Sequence, residues 1–292
     1  MQRLANRSGS ESRIGFMLAV PALLVFGFIV LYPFINSIVM SFTNRSLIRR
    51  TSGFVGFSNY SIVFSDPNFP MVLRNTFVFV VLGTLLPFFG GFMWALILNQ
   101  KFRGSEIIRG LTLVCWIIPS TSIAFLWMWI FHGHYGILNH FLMSLGIIKD
   151  KITWLGHPNT ALFGVIIAKT WQTLPWNMAF ILSGLQAVRM EIVESARIDG
   201  AGNVRVFWSV VVPEIKDVLM IILLLGTIGS LQHFDLLWVM TEGGPARATT
   251  TLSVEVYTRA FVNFRLGQAA TVGTVWVIIL SFVGFFYLRK RS

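Results

Sequence analysis

This sequence has a single cysteine and very little charge, and each shortage excludes a class of protein. Cys115 stands alone inside an apolar segment, so the chain can build neither a disulfide framework nor a thiolate metal site, and the residue reads as a small apolar filler. Charged side chains make up 12% of the 292 residues against 55% hydrophobic, too little polar surface to cover a soluble globule of this size. No G-x-x-x-x-G-K-[ST] loop is present, so this chain has no cradle for nucleotide phosphates. Asp66, Asp150 and Glu242 are lone loop carboxylates, and no acid and base pair or partnered nucleophile is in sight, which leaves an intramembrane enzyme without its parts. His132, His134 and His140 have no nearby cysteine or carboxylate to complete a ligand set, so they fit a wet interfacial role and no metal site is expected. Neither a low-complexity tract nor a repeat of fixed period is found.

What is present is a series of long apolar stretches. A helix needs roughly 20 residues to cross about 30 Å of hydrocarbon. Six stretches meet that length, at about 14–42, 75–98, 111–132, 160–185, 218–240 and 266–288, which predicts an all-α integral membrane protein. The first follows Arg3, Arg7 and Arg13 like a signal peptide, but it is too long and ends without a small-residue cleavage site, so it reads as an uncleaved span.

The net charge of +11 does not point to nucleic acid, because the basic residues lie in short clusters between spans. With both termini cytoplasmic, Arg3, Arg7, Arg13, Lys101, Arg103, Arg109, Arg189, Arg197, Arg205, Lys216, Arg289, Lys290 and Arg291 face inward, thirteen of the 23 basic residues. Arg45, Arg49, Arg50, Arg74, Lys149, Lys151, Arg247, Arg259 and Arg265 fall on the other side, and Lys169 falls within the membrane. Trp116, Trp154, Trp238, Tyr257 and Tyr287 near span ends suit interfacial anchoring or packing. The external loops, Thr43 to Arg74, Gly133 to Asn159 and Thr241 to Arg265, are each too short for a globular domain.

Helix breakers are frequent within the spans: Pro21, Pro33, Gly83, Pro87, Gly90, Gly91, Pro119, Pro175, Gly226, Gly229 and Gly273. Kinked, closely packed helices are expected, with Gly226/Ser230 and Ala269/Gly273 as small pairs at four-residue spacing. Polar groups inside a span are costly and are functional candidates by default. On the fourth span Lys169, Gln172, Thr173 and Trp176 share a face beside Pro175, whose ring could leave a backbone carbonyl free. On the fifth, Gln232, Asp235 and Trp238 share a face beside His233 and Phe234. Amides, carboxylates and aromatic rings together suit a hydroxyl-rich sugar. A second reading pairs Lys169 with Asp235 as a structural ion pair and makes Trp176 ordinary packing.

Between the fourth and fifth spans lies MEIVESARIDGAGNVRVFWSVVVPEIKDV, Met190 to Val218, the one long segment both amphipathic and cytoplasmic. It reads as helix, turn, helix. Ile192, Val193, Ala196 and Ile198 give an apolar surface beside Glu191, Glu194 and Arg197, and Asp199 to Gly202 end the helix. Asn203 is placed to cap the second helix, and Pro213 to end it. The small Ala196 would let the helix enter a cleft on another protein, with Gly200 supplying the turn; a plain interfacial helix is the other reading.

These residues resemble the EAA loop of binding-protein-dependent ABC import permeases, whose pattern is E-A-A, three residues, G, nine residues, I, one residue, L-P. Glu194, Ala196, Gly200 and Pro213 match by identity; Ser195 replaces an alanine, and Val210 and Val212 replace isoleucine and leucine. FVGFSNY at Phe54 to Tyr60, RGSEIIRGLTLVCWIIP at Arg103 to Pro119 and TEGGP at Thr241 to Pro245 are similar to the sugar-importing branch, of maltose and glycerol-phosphate type with a MetI-like transmembrane domain. The resemblance implies residues 1–70 as an N-terminal segment, first helix and first external loop, and 71–292 as a five-helix permease core with the EAA loop at about 190–217. It implies that Glu194, Ser195, Ala196, Arg197, Asp199, Gly200 and Pro213 couple this chain to a nucleotide-binding ATPase. The implied partners are a second homologous permease, two ATPase subunits that hold ATP and Mg, an extracytoplasmic solute-binding protein and the lipid bilayer of a bacterial or archaeal cytoplasmic membrane. The chain itself would bind no cofactor and no nucleic acid. The expected function is import of a sugar or sugar-like solute by alternating access; the alternative is a self-sufficient secondary carrier or channel, which leaves the loop unexplained.

Overall fold

The computed structural model describes residues 16–48, 52–100 and 102–289. Arg3, Arg7, Arg13, Ile14, Arg49, Arg50, Lys101, Lys290 and Arg291, on which the expected topology partly rests, lie outside these. Helix is the only regular element among the described residues apart from one isolated bridge, Thr43 with Phe54.

α1 runs Phe16–Ser41 with a π turn at Gly27–Leu31, and nearly all its side chains are exposed, as suits a helix wrapped in lipid. A short α2, Ser58–Phe64, precedes α3, Phe69–Leu98. α3 begins six residues before the expected second span because Pro70 sits in its first turn, where a missing N–H costs nothing. α4, Ser105–Ile117, and α5, Ser120–Ile130, meet at 97°. The expected third span, 111–132, is therefore not one helix. Pro119 drives the preceding Ile118 into extended backbone, ψ 132°, and the helix must stop there. α6, Ile137–Ser144, occupies the loop before α7, Pro158–Gln186.

Next come α8, Met190–Ile198, and α9, Asn203–Val206, which continues through a π turn, Phe207–Val211, into α10, Val212–Glu214. α11, Lys216–Gln232, bends by 41° at His233 and Phe234 into α12, Asp235–Thr241. α13, Leu252–Tyr257, and α14, Leu266–Arg289, complete the chain.

Among the described residues, three helices are long and apolar enough to cross a bilayer, or up to five spans if each bent pair counts as one. α7 is the interesting omission. Its 29 residues reach about 43 Å, but Lys169, Gln172, Thr173 and Asn177 make it too polar for a lipid-facing span. The structure resolves the conflict by burying it: α3 and α11 pack on it, and much of its surface is enclosed.

The chain forms two compact units, one from residues up to Asp66 with Val256–Ile278, the other from Pro67–Glu255 with the residues after Ile278. In the first, the FVGFSNY segment supplies the joinery. Buried Asn59 donates to the carbonyls of Ser41 and Thr43, both at 2.8 Å, and Phe42 packs among Phe54, Phe57 and Tyr60. Arg259, itself buried, pairs with Asp66 at 2.7 Å. In the second unit, α3 lies against α7 with almost no separation. A methyl group at Gly91 would stand 2.6 Å from Asn177 Cβ and 2.8 Å from the Met178 nitrogen, so only glycine lets these backbones meet. Two apolar clusters pack this unit, one around Phe79, Ile166 and Leu236, the other, which includes the contact residue Met178, around Phe88 and Ile222.

Candidate functional site

Pro87 has no N–H, so the carbonyl of Gly83, four residues earlier in α3, loses its helical partner. A carbonyl orphaned inside a membrane protein must find another donor. Lys169 of α7 supplies it, Nζ to Gly83 O at 2.5 Å, and Nζ also donates to Ser230 Oγ of α11 at 2.6 Å. Ser230 in turn shares a hydrogen bond with Thr84 Oγ1 at 2.9 Å and donates to Gly226 O at 2.7 Å. Gly83 matters sterically as well, since a Cβ there would crowd Lys169 Nζ at 3.2 Å. Three helices are thus tied at one buried lysine side chain, 4% exposed, with the face of Phe79 5.6 Å from its nitrogen.

Around this knot lies a cavity of about 210 Å³. Lys169, Thr173, Trp176 and Asn177 of α7 line it, with Thr84 of α3, Trp116 of α4, and Ser230 and His233 at the end of α11. Of the eight residues expected along a substrate path, four are brought together here: Lys169, Thr173, Trp176 and His233. Gln172 turns aside and donates to Ser120 Oγ at 3.0 Å. Gln232, Asp235 and Trp238 do not line the cavity. The expectation that they share one helical face assumed an unbroken helix, and the break at His233 and Phe234 removes it. The alternative pairing of Lys169 with Asp235 is not formed either: Asp235 is exposed, and the ion pairs among the described residues are Arg247 with Glu255 and Arg259 with Asp66. Gly83, Thr84, Asn177 and Ser230 escaped sequence reasoning. The Gly83/Pro87 spacing was the available signal, since it marks a free carbonyl; the observed acceptor lies under Pro87 in α3, where the sequence had drawn attention to Pro175.

The second candidate site is α8 and the turn after it. Glu194, Ser195, Arg197, Asp199 and Gly200 are exposed, Ala196 is half-buried and Val193 holds the helix down from its inner face. Gly200 has φ +83°, and Ala201 N donates to Ala196 O while Gly200 N donates to Arg197 O, both at 3.0 Å. This is the paired six-to-one and five-to-two bonding of a Schellman ending, which favours glycine at that position. The apolar side chains of Met190, Ile198, Val204 and Trp208 are also left exposed, Ile198 by 86%. Asn203 is not the cap of the next helix: Gly202 takes that position, and Asn203 is the first helical residue without a capping side-chain bond. Pro213 sits one residue before the end of the second helix, which runs from Asn203 through the π turn to Glu214, and one residue, Ile215, separates it from α11.

A helical membrane protein with a cavity among its helices that buried polar side chains help to line, and with an exposed helix-turn surface, has the form of a transport subunit. Residues 87–290 match the family described as binding-protein-dependent transport system inner membrane component, and the chain belongs to that family, the membrane permeases of ABC importers. Similar proteins include the trehalose/maltose transport system permease protein MalF of Thermococcus litoralis, 33% identical over 93% of this chain and 92% of that one. The lactose transport system permease protein LacF of Rhizobium radiobacter is 33% identical over 95% of both chains. In fold, the chain is similar to the crystal structure of a bacterial alginate ABC transporter in complex with an alginate pentasaccharide-bound periplasmic protein, with a TM-score of 0.81, 18% identity, and 96% and 94% of the two chains covered.

Proposed function

We propose that this chain is one of two similar permease subunits of an ATP-driven importer of a sugar or sugar-like solute in a bacterial or archaeal cytoplasmic membrane. In this reading it crosses the bilayer six times with both termini cytoplasmic, the buried α7 being the fourth span, and residues 71–292 form the core. Two ATPase subunits hold ATP and Mg, and an extracytoplasmic binding protein delivers the solute. The transport names of its relatives support the solute class, and the complex with a periplasmic protein supports the last partner.

The observation that carries the reading is the α8 turn: a helix whose ending is held by its own backbone bonds, yet whose outward residues are exposed, with open space around Gly200. Glu194, Ser195, Ala196, Arg197, Asp199 and Gly200 offer an ATPase groove a compact polar and small surface, flanked by the exposed Ile198. Movement there has a continuous path inward. The π turn and α10, which carries Pro213, lead through buried Ile215 to α11, and Ile215 packs in the cluster around Met178 and Ile222. α11 carries Ser230 and His233 into the cavity. Displacing the loop would shift α11 against α3 and α7 and alter the cavity's access, the physical content of alternating access here.

The test is uptake by proteoliposomes. The complex with both ATPases, supplied with binding protein outside and ATP inside, is expected to accumulate labelled oligosaccharide, with hydrolysis required. Equal uptake by this chain alone would make it a secondary carrier and overturn the reading.

A further inference from the structure

We propose that the cavity between α3, α7 and α11 receives an anionic group, so that the transported solute is an acidic sugar or sugar derivative, such as a uronate, a sulfonate or a phosphate ester. This rests on the importer reading and extends it from solute class to solute charge.

A buried charge is tolerated when something of opposite sign compensates it. Lys169 is 4% exposed, and its two hydrogen-bond acceptors, the Gly83 carbonyl and the Ser230 hydroxyl, are dipoles without net charge. The Phe79 ring adds only a quadrupole. No aspartate or glutamate lines the cavity, and neither ion pair among the described residues involves Lys169. An ammonium has three N–H bonds, so one remains after these two contacts. A second group with unspent capacity faces the same space: His233, a lining residue, has a buried Nε2 with no hydrogen-bond partner. Thr84, Thr173 and Asn177 surround them with further polar atoms.

A neutral sugar entering here would satisfy donors but offer nothing to balance a charge on Lys169. An anion does both, and its bond to Lys169 is the stronger kind. The cavity, about 210 Å³, falls below the roughly 300–1,000 Å³ of pockets for drug-sized ligands, so it suits one acidic ring or substituent rather than a whole oligosaccharide. The competing account gives Lys169 one duty, satisfying the carbonyl that Pro87 frees, and it predicts no preference for charge.

The two accounts separate in equilibrium binding to the whole complex, with its partner permease and ATPases, held in lipid nanodiscs. Paired probes are glucose against glucuronate, and maltose against digalacturonate. The acidic member of each pair is expected to bind at least about tenfold more tightly, Lys169→Arg to keep the preference, and Lys169→Met to reduce it to within about twofold. Equal binding of each pair by the wild-type complex, or a preference that survives in Lys169→Met, overturns the proposal. If Lys169→Met does not assemble, the wild-type pairs alone decide. If no carbohydrate of either kind binds, the sugar-importer reading beneath the proposal falls, a result distinct from equal binding.

Discussion

Around Gly200 the structure is open: a side chain there would meet nothing within 4 Å, and only the φ of +83° asks for glycine. Around Gly91 the backbone is ordinary helix, and what forbids a side chain is Asn177 and the Met178 backbone pressed against it. One glycine serves a turn that presents a surface; the other serves a contact that is already complete. The same division runs through their surroundings. The α8 turn satisfies its own backbone and leaves apolar and charged side chains outward, the condition of a surface shaped for a partner. The α3/α7/α11 cavity turns its polar groups inward, and the Gly91 contact beside it leaves no room for a side chain.

Substitutions sharpen this contrast, and the largest effect is expected at the closed site. Gly91→Ala should force α3 and α7 apart and lower stability by about 3 kcal/mol, read as a fall in the melting temperature of the detergent-solubilised protein. Ser230→Ala removes the hydroxyl that joins Lys169, Thr84 and Gly226, and should cost roughly 1–2 kcal/mol in the same measurement. Gly200→Ala should lower the melting temperature less than Ser230→Ala does, because the open surface turn can relax part of the roughly 1–2 kcal/mol of left-handed strain, yet it should weaken ATPase capture several-fold. Gly202→Ala is the smallest. This glycine has neither a positive φ nor any neighbour within 4 Å, so both stability and ATPase capture should match the wild type. An equal loss from Gly200→Ala and Gly202→Ala would break the argument that backbone conformation sets the turn.

The loop was legible in the sequence because its logic is local. Amphipathic spacing from Met190 to Ile198 and a glycine at the end of the helix are decided within a dozen residues, and the structure places the helix and the left-handed turn where that reading put them. What failed there was finer: Gly202 rather than Asn203 takes the cap. The cavity was half legible. Periodicity found Lys169, Thr173 and Trp176 on one stripe of α7, but the stripe's edge residue, Gln172, is drawn away by Ser120, a partner no local pattern reveals. Thr84 and Ser230 join the site only because α3 and α11 converge on α7, which is a tertiary fact. The fifth-span face was misjudged because a helical period was carried across His233 and Phe234, where the helix bends by 41°. The third span failed in the same way at Pro119, although there the proline was visible and its effect on Ile118 foreseeable.

The central claim is that the open turn at Gly200 exists to meet an ATPase. It is tested most directly by pulling the tagged chain from solubilised native membranes in wild-type and Gly200→Asp form. The account predicts that a nucleotide-binding ATPase co-purifies with the wild type and is lost or depleted with Gly200→Asp, while the two chains melt at similar temperatures. A stable, transport-competent chain that brings down no ATPase in either form would contradict it.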